Sequence, residues 1–166
     1  MDISILIPYR NRRANLLTLI TQIKRNLRFY SGNIEVIIVD LGSSSNLHTE
    51  LSAFPFVSYH YVEYKGTFSK SWALNIAFRK SVYPWIFILD VDCIFLVKFF
   101  QSIGEKLDSS NFLNCYIFGG IRHLNDDLTW RIVENHTVTS KIQSEILAEY
   151  HSMRQALGYG NIILHR

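Results

Sequence analysis

Cysteine is scarce in this chain, with only Cys93 and Cys115. The two have no metal-ligand spacing and cannot build a disulfide framework; both lie in apolar runs, where a buried free thiol is the common state. A reducing, cytoplasmic compartment fits. Long apolar runs are lacking as well, and Met1-Asp2-Ile3-Ser4-Ile5 opens directly on a strand-like segment without a basic region before it. Neither a signal peptide nor a transmembrane segment is therefore expected. There is no block of like charge: 17 Lys and Arg are interleaved with 14 Asp and Glu, for a net charge of +3. A nucleic-acid partner is excluded on that pattern, whereas mild basicity suits a phosphorylated small molecule or peripheral contact with an anionic membrane. No G-x-G-x-x-G follows any strand-like run, which disfavours dinucleotide oxidoreductases. Internal repeats and low-complexity segments are missing too.

What is present is a composition that can bury one sizeable core, 48% hydrophobic and 14% aromatic in 166 residues, so residues 1–166 are expected to form a single domain. Short β-rich apolar runs alternate with stretches of helical period, the pattern of βαβ units around a mostly parallel sheet. Ile3 to Pro8, Ile34 to Val39, Val57 to Val62 and Trp85 to Leu89 read as strands. Leu16, Leu17, Ile20, Ile23 and Leu27 recur with the spacing of an amphipathic helix, as do Trp72, Ala73, Ile76 and Ala77. Past Asp92 the pattern predicts a helix from about Val97 to Lys106, a strand from Tyr116 to Phe118, and a polar loop to about Thr139. A helix to Leu157 follows, with Ile142, Ile146, Tyr150, Met153 and Leu157 on one stripe. A further strand begins near Gly160.

Ligands of open parallel sheets bind beyond the carboxyl ends of the strands, and the chemically suggestive residues lie there. Asp90-Val91-Asp92 follows the fourth strand. Alternate carboxylates on an extended chain point the same way, so the pair can share a hard divalent cation and ribose hydroxyls; equally, it can cap the following turn. Arg10, Arg12 and Arg13 follow the first strand and offer guanidinium forks to phosphate, or form a solvated helix start. Asp40, before Gly42 and Ser43, is either a base or ribose contact or a turn cap. In Gly66-Thr67-Phe68-Ser69-Lys70, Ser69 and Lys70 face a ligand, or Ser69 caps the next helix.

In this order the motifs resemble glycosyltransferases of the GT-A fold, the inverting family 2 and the related β-1,4-galactosyltransferases. Ile7-Pro8-Tyr9-Arg10-Asn11-Arg12 is similar to the galactosyltransferase opening, and Glu35 to Asp40 with Gly42-Ser43 resembles the strand whose terminal acid recognises uracil. Phe68 to Ala77, with Lys70 and Asn75, resembles the helix under the nucleotide, and Phe87 to Asp92 the metal-binding triplet. The resemblance implies a Rossmann-like α/β domain, with residues 1–95 as the nucleotide-binding half and 96–166 as an incomplete acceptor-side half. It implies Asp92 as a ligand of Mn2+ or Mg2+, with Asp90 at the ribose or the metal. Arg10 and Arg12 would meet the diphosphate of a UDP-sugar, Asp40 the base, and Pro8, Tyr9, Ser69, Lys70 and Asn75 would be further donor contacts. The acceptor would be a saccharide or another hydroxyl compound.

The family's acid-bearing segment with the catalytic base is expected beyond Arg166; within the chain Asp126, Asp127 and Glu134 are the loose alternatives, and Asn125-Asp126-Asp127 has the composition of a turn. Three functions follow: a sugar transferase, a donor-binding module without efficient transfer, or, from the Asp-x-Asp alone, a haloacid-dehalogenase-like phosphatase. The terminal strand is expected to present an under-covered edge, open to a homodimer or to a missing C-terminal segment.

Overall fold

A computed structural model describes residues 1–95, 97–108, 114–116, 124–136, 138–139, 141–142, 144–145 and 162–165. A six-stranded sheet carries the fold, in the order β3-β2-β1-β4-β6-β5. Its strands are β1 (Ile3–Tyr9), β2 (Ile34–Leu41), β3 (Val57–Val62), β4 (Trp85–Ile88), β5 (Asn114–Tyr116) and β6 (Ile162–His165). The first four pair in parallel. β6 runs antiparallel to both β4 and β5.

β1 is buried at all seven positions, as a strand covered on both faces must be. Its alternate residues serve two cores. Ile3, Ile5 and Ile7 join Val36, Ile38 and Phe87 under helix α1 (Arg13–Leu27), which contributes Leu16, Leu19, Ile20 and Ile23. Leu6 joins Ile37, Val39 and Ile86 under helix α3 (Lys70–Lys80), which presents Ala73 and Ala77. These two small residues let α3 lie close against β1 and β2. A single turn, α2 (His48–Leu51), precedes β3, and helix α4 (Phe99–Asp108) packs against α1. No helix of the described residues is long and apolar enough to cross a membrane.

The second half departs from expectation. Helix α4 begins two residues later than the periodicity predicts, and the fifth strand is centred on Cys115; Phe118 lies outside the described residues. The expected polar loop contains helix α5 (Asp126–Asn135), capped by Asn125, whose side chain accepts a hydrogen bond from Leu128 N–H. Leu128 and Ile132 of α5 form a third core with Val138 and Ile142. Ile146, Tyr150, Met153 and Leu157 lie outside the described residues. The terminal strand is not an open edge: β6 is inserted between β4 and β5, with Phe87 opposite Ile163 on one side and Cys115 opposite it on the other. The proposed dimerisation edge at that strand is thereby withdrawn, since its hydrogen-bonding groups already have neighbours on both sides. The sheet also runs across the expected division at residues 95 and 96.

Candidate functional site

The chain leaves β1 for β2 and β3 on one side, then crosses by α3 to β4 on the other. The loops after β1 and β4 consequently diverge, and a cleft of about 480 Å³ opens at this switch point. Pro8, Arg10, Asn11 and Arg12 line it from the end of β1; Asp90, Val91 and Asp92 line it from the end of β4; Phe68 and Lys70 come from the start of α3.

Three cations face two carboxylates across this cleft. Arg12 Nη1 donates to Asp92 Oδ2 at 2.5 Å, and Lys70 Nζ lies 2.5 Å from Asp90 Oδ1. Arg10 Nη1 donates to the carbonyl of Gly66 at 2.6 Å. The surplus of positive charge suits an anion, and the pairing lowers the repulsion between two neighbouring carboxylates. Arg13 turns aside to Glu50, 3.4 Å away, and does not line the cleft.

The loop that carries Arg10 and Arg12 is held from β2. Asn11 has a φ of +54°, a left-handed conformation for which asparagine is enriched. Its N–H donates to Ser43 Oγ at 2.8 Å, and its side-chain oxygen accepts from Ser44 N–H at 2.8 Å. Ser43 N–H in turn donates to Asp40 Oδ1 at 2.9 Å, and Tyr59 O–H donates to Asp40 Oδ2 at 2.5 Å. Asp40 is 0% exposed and Tyr9 1% exposed. Burial, and then the charge of Asp40, raise the pKa of the Tyr9 hydroxyl. Burial and the bond to Asp40 raise that of Tyr59 well above its ordinary value. Gly42 completes the turn at φ +75°, where a Cβ would lie 1.9 Å from the carbonyl oxygen of Tyr64.

Of the sequence candidates, Pro8, Arg10, Arg12, Lys70, Asp90 and Asp92 thus meet in one cleft. Ser69 instead caps α3, accepting from Trp72 N–H at 3.3 Å, and Asn75 is exposed on α3 outside the cleft lining. Tyr9 and Asp40 are buried behind it. Asp126 and Asp127 stand in the first turn of α5, where Asp127 pairs with Arg131 at 3.2 Å; Glu134 is exposed on the same helix. Sequence reasoning overlooked Asn11, Phe68 and Tyr59. An asparagine inside an arginine-rich turn and an aromatic in a polar loop were the available signals for the first two; nothing local marks Tyr59.

A divalent cation fits the donor set in one specific sense. Asp90 and Asp92 are hard oxygen donors, but no group of three or more His, Cys, Asp or Glu gathers among the described residues. Two carboxylates suffice for Mg2+-like ions only when other oxygen ligands, such as phosphate oxygens, complete the shell.

Fold and site together define an α/β domain whose cleft, at the sheet's switch point, is lined by Arg10, Arg12 and Lys70 and by the carboxylates of Asp90 and Asp92. The Glycosyl transferase family 2 model matches residues 4–162, and the chain belongs to that family. Its structural neighbours have the GT-A fold. One is glucosyl-3-phosphoglycerate synthase from Mycobacterium tuberculosis in complex with UDP, 17% identical, with a TM-score of 0.56 over 99% of this chain and 56% of that one. The same enzyme with Mn2+, UDP and glucosyl-3-phosphoglycerate gives 19% and 0.55, again over 99% of this chain and 56% of that one. S. aureus TarS 1–349 with UDP gives 16% and 0.54, over 69% of this chain and 34% of that one. The chain thus spans about a third of TarS 1–349 and just over half of the synthase. No curated protein matches it in sequence. Family membership sets aside the phosphatase interpretation of Asp90-Val91-Asp92.

Proposed function

We propose that this chain binds a UDP-sugar in the cleft between β1 and β4 and serves transfer of the sugar, with inversion, to a hydroxyl acceptor. The observation that carries this is the convergence of Arg10, Arg12 and Lys70 on Asp90 and Asp92 at the switch point. The diphosphate takes over the cations. Arg10 and Arg12 supply charge-assisted hydrogen bonds to its oxygens, and Lys70 adds a mobile point charge at the N-terminus of α3. Asp92, with Asp90 beside it, would hold Mn2+ or Mg2+, and such an ion would supply positive charge against the diphosphate leaving group. Phe68, 38% exposed in the lining, offers an apolar face to the base or the sugar. The Mn2+ and UDP in the synthase complex and the UDP bound by TarS support this assignment.

A base must deprotonate the acceptor hydroxyl as it attacks. Among the described residues, Asp90 and Asp92 are the only carboxylates lining the cleft, and both are committed to cations. This favours a second interpretation, that the chain by itself binds donor without transferring efficiently. Calorimetry with UDP tests the shared part: binding should require Mn2+, and Asp92→Ala should abolish that requirement along with most of the affinity. Equal affinity with Mn2+ and with chelator would refute the site. Turnover of UDP-sugars by the same protein then separates transferase from binding module.

A further inference from the structure

We propose that Asp40 is a positioning residue, setting the diphosphate-binding arginines through Ser43 and Asn11 without touching the nucleotide; this rests on the donor site proposed above. Its carboxylate has no exposed surface, and its two oxygens accept from different strands' groups, Ser43 N–H after β2 and Tyr59 O–H on β3. A base contact would need an acceptor facing the cleft, which Asp40 does not line.

What Asp40 does face is the turn that fixes Ser43. Held by its backbone, Ser43 accepts the Asn11 N–H at Oγ. Asn11 answers by accepting from Ser44 N–H and, at 3.2 Å, from Ser44 O–H. The left-handed φ of Asn11 is therefore fastened at its N–H and its side chain by the turn that Asp40 caps. Asn11 lies between Arg10 and Arg12, so its twist determines where both guanidinium groups start. Locking it from below leaves the guanidinium groups preorganised for an anion.

The consequence is separable from base recognition. Affinities for UDP and for inorganic pyrophosphate, both with saturating Mn2+, are measured for the parent, Asp40→Asn and Ser43→Ala. Thermal melts fix a temperature at which each variant is fully folded. Ser43→Ala leaves Asp40 in place and cuts the link to Asn11, so it reports on positioning even if Asp40→Asn does not fold. Both variants should weaken UDP and pyrophosphate by the same factor, roughly twofold to tenfold, the range expected from one net hydrogen bond. A loss confined to UDP, with pyrophosphate unchanged, would show that Asp40 reads the base and overturn the inference. Unchanged affinity of Ser43→Ala for both ligands would overturn it as well. Failure of the parent to bind either ligand would instead sink the donor site itself, and this inference with it.

Discussion

Replacing Arg12 by Ala should move two affinities in opposite directions. Arg12 Nη1 sits 2.5 Å from Asp92 Oδ2, with the two side chains 56% and 51% exposed. Exposed pairs of this kind contribute about 0.2–1 kcal/mol, so freeing Asp92 should tighten its grip on Mn2+ alone by roughly 1.4-fold to 5-fold. Once a diphosphate is present, Arg12 is a charge-assisted donor, and its loss should cost about 1.5–3 kcal/mol, or roughly tenfold to hundredfold in affinity. Stability should barely change. Arg12 is the N-cap of α1 and makes no side-chain capping bond, so its removal relieves an unfavourable cation at a helix N-terminus, by about 0.3–1 kcal/mol. That gain offsets the lost ion pair. Titration of Mn2+ by electron paramagnetic resonance, without nucleotide, reads the first effect; calorimetry with UDP at saturating Mn2+ reads the second. If UDP binds the variant as it binds the parent, the phosphate site has been assigned to the wrong residues.

Gly42→Ala should destabilise the fold by more than the roughly 1–2 kcal/mol of a left-handed alanine, because the new Cβ would also meet the backbone oxygen of Tyr64 at 1.9 Å. An unchanged urea midpoint would refute this. A pH effect follows from His60, whose pKa is held below 6.5 by burial and, secondarily, by Lys80. The unfolded chain then binds a proton that the folded chain resists. Stability should fall as pH drops through 6.5 and level off below the folded-state pKa, while above 6.5 this contribution is constant. Urea unfolding of parent and His60→Gln at about pH 7.5 and about pH 5 measures it; an equal decline in the two proteins would refute the assignment.

The first ninety residues were legible because strands buried on both faces must be almost wholly apolar, and β1 and β2 are. Their ends then mark the ligand side without further information. Other features depended on partners far along the chain. Asn125-Asp126-Asp127 has the same chemistry whether it closes a turn or opens a helix; the four-residue spacing of Leu128 and Ile132 decides for the helix, and both are buried. The terminal Ile162–His165 announced a strand but not its neighbours, since an apolar run carries no record of which edge it will join. Asp40 was ambiguous between ligand contact and turn cap, and nothing near it in sequence announces Tyr59, nineteen residues later, which donates to its Oδ2.

The switch point accounts for this division between legible and hidden. Residues that line the cleft lie at strand ends, where sequence order predicts proximity: Arg10 and Arg12 after β1, Asp90 and Asp92 after the neighbouring β4. Lys70 arrives by the same logic, because the helix crossing from β3 to β4 begins on the ligand side of the sheet. Bringing two acids to one rim raises their mutual repulsion, and each is paired with one of these cations. Those pairs are exposed and weak, so under the proposed function a diphosphate and its metal would exchange partners with them at little cost. The residues that fix the rim's shape are held more firmly. The links among Asp40, Tyr59, Ser43 and Asn11 join β3 and β2 to the loop after β1, with the carboxylate at their centre fully buried, so they stay in place while the charges above them are exchanged.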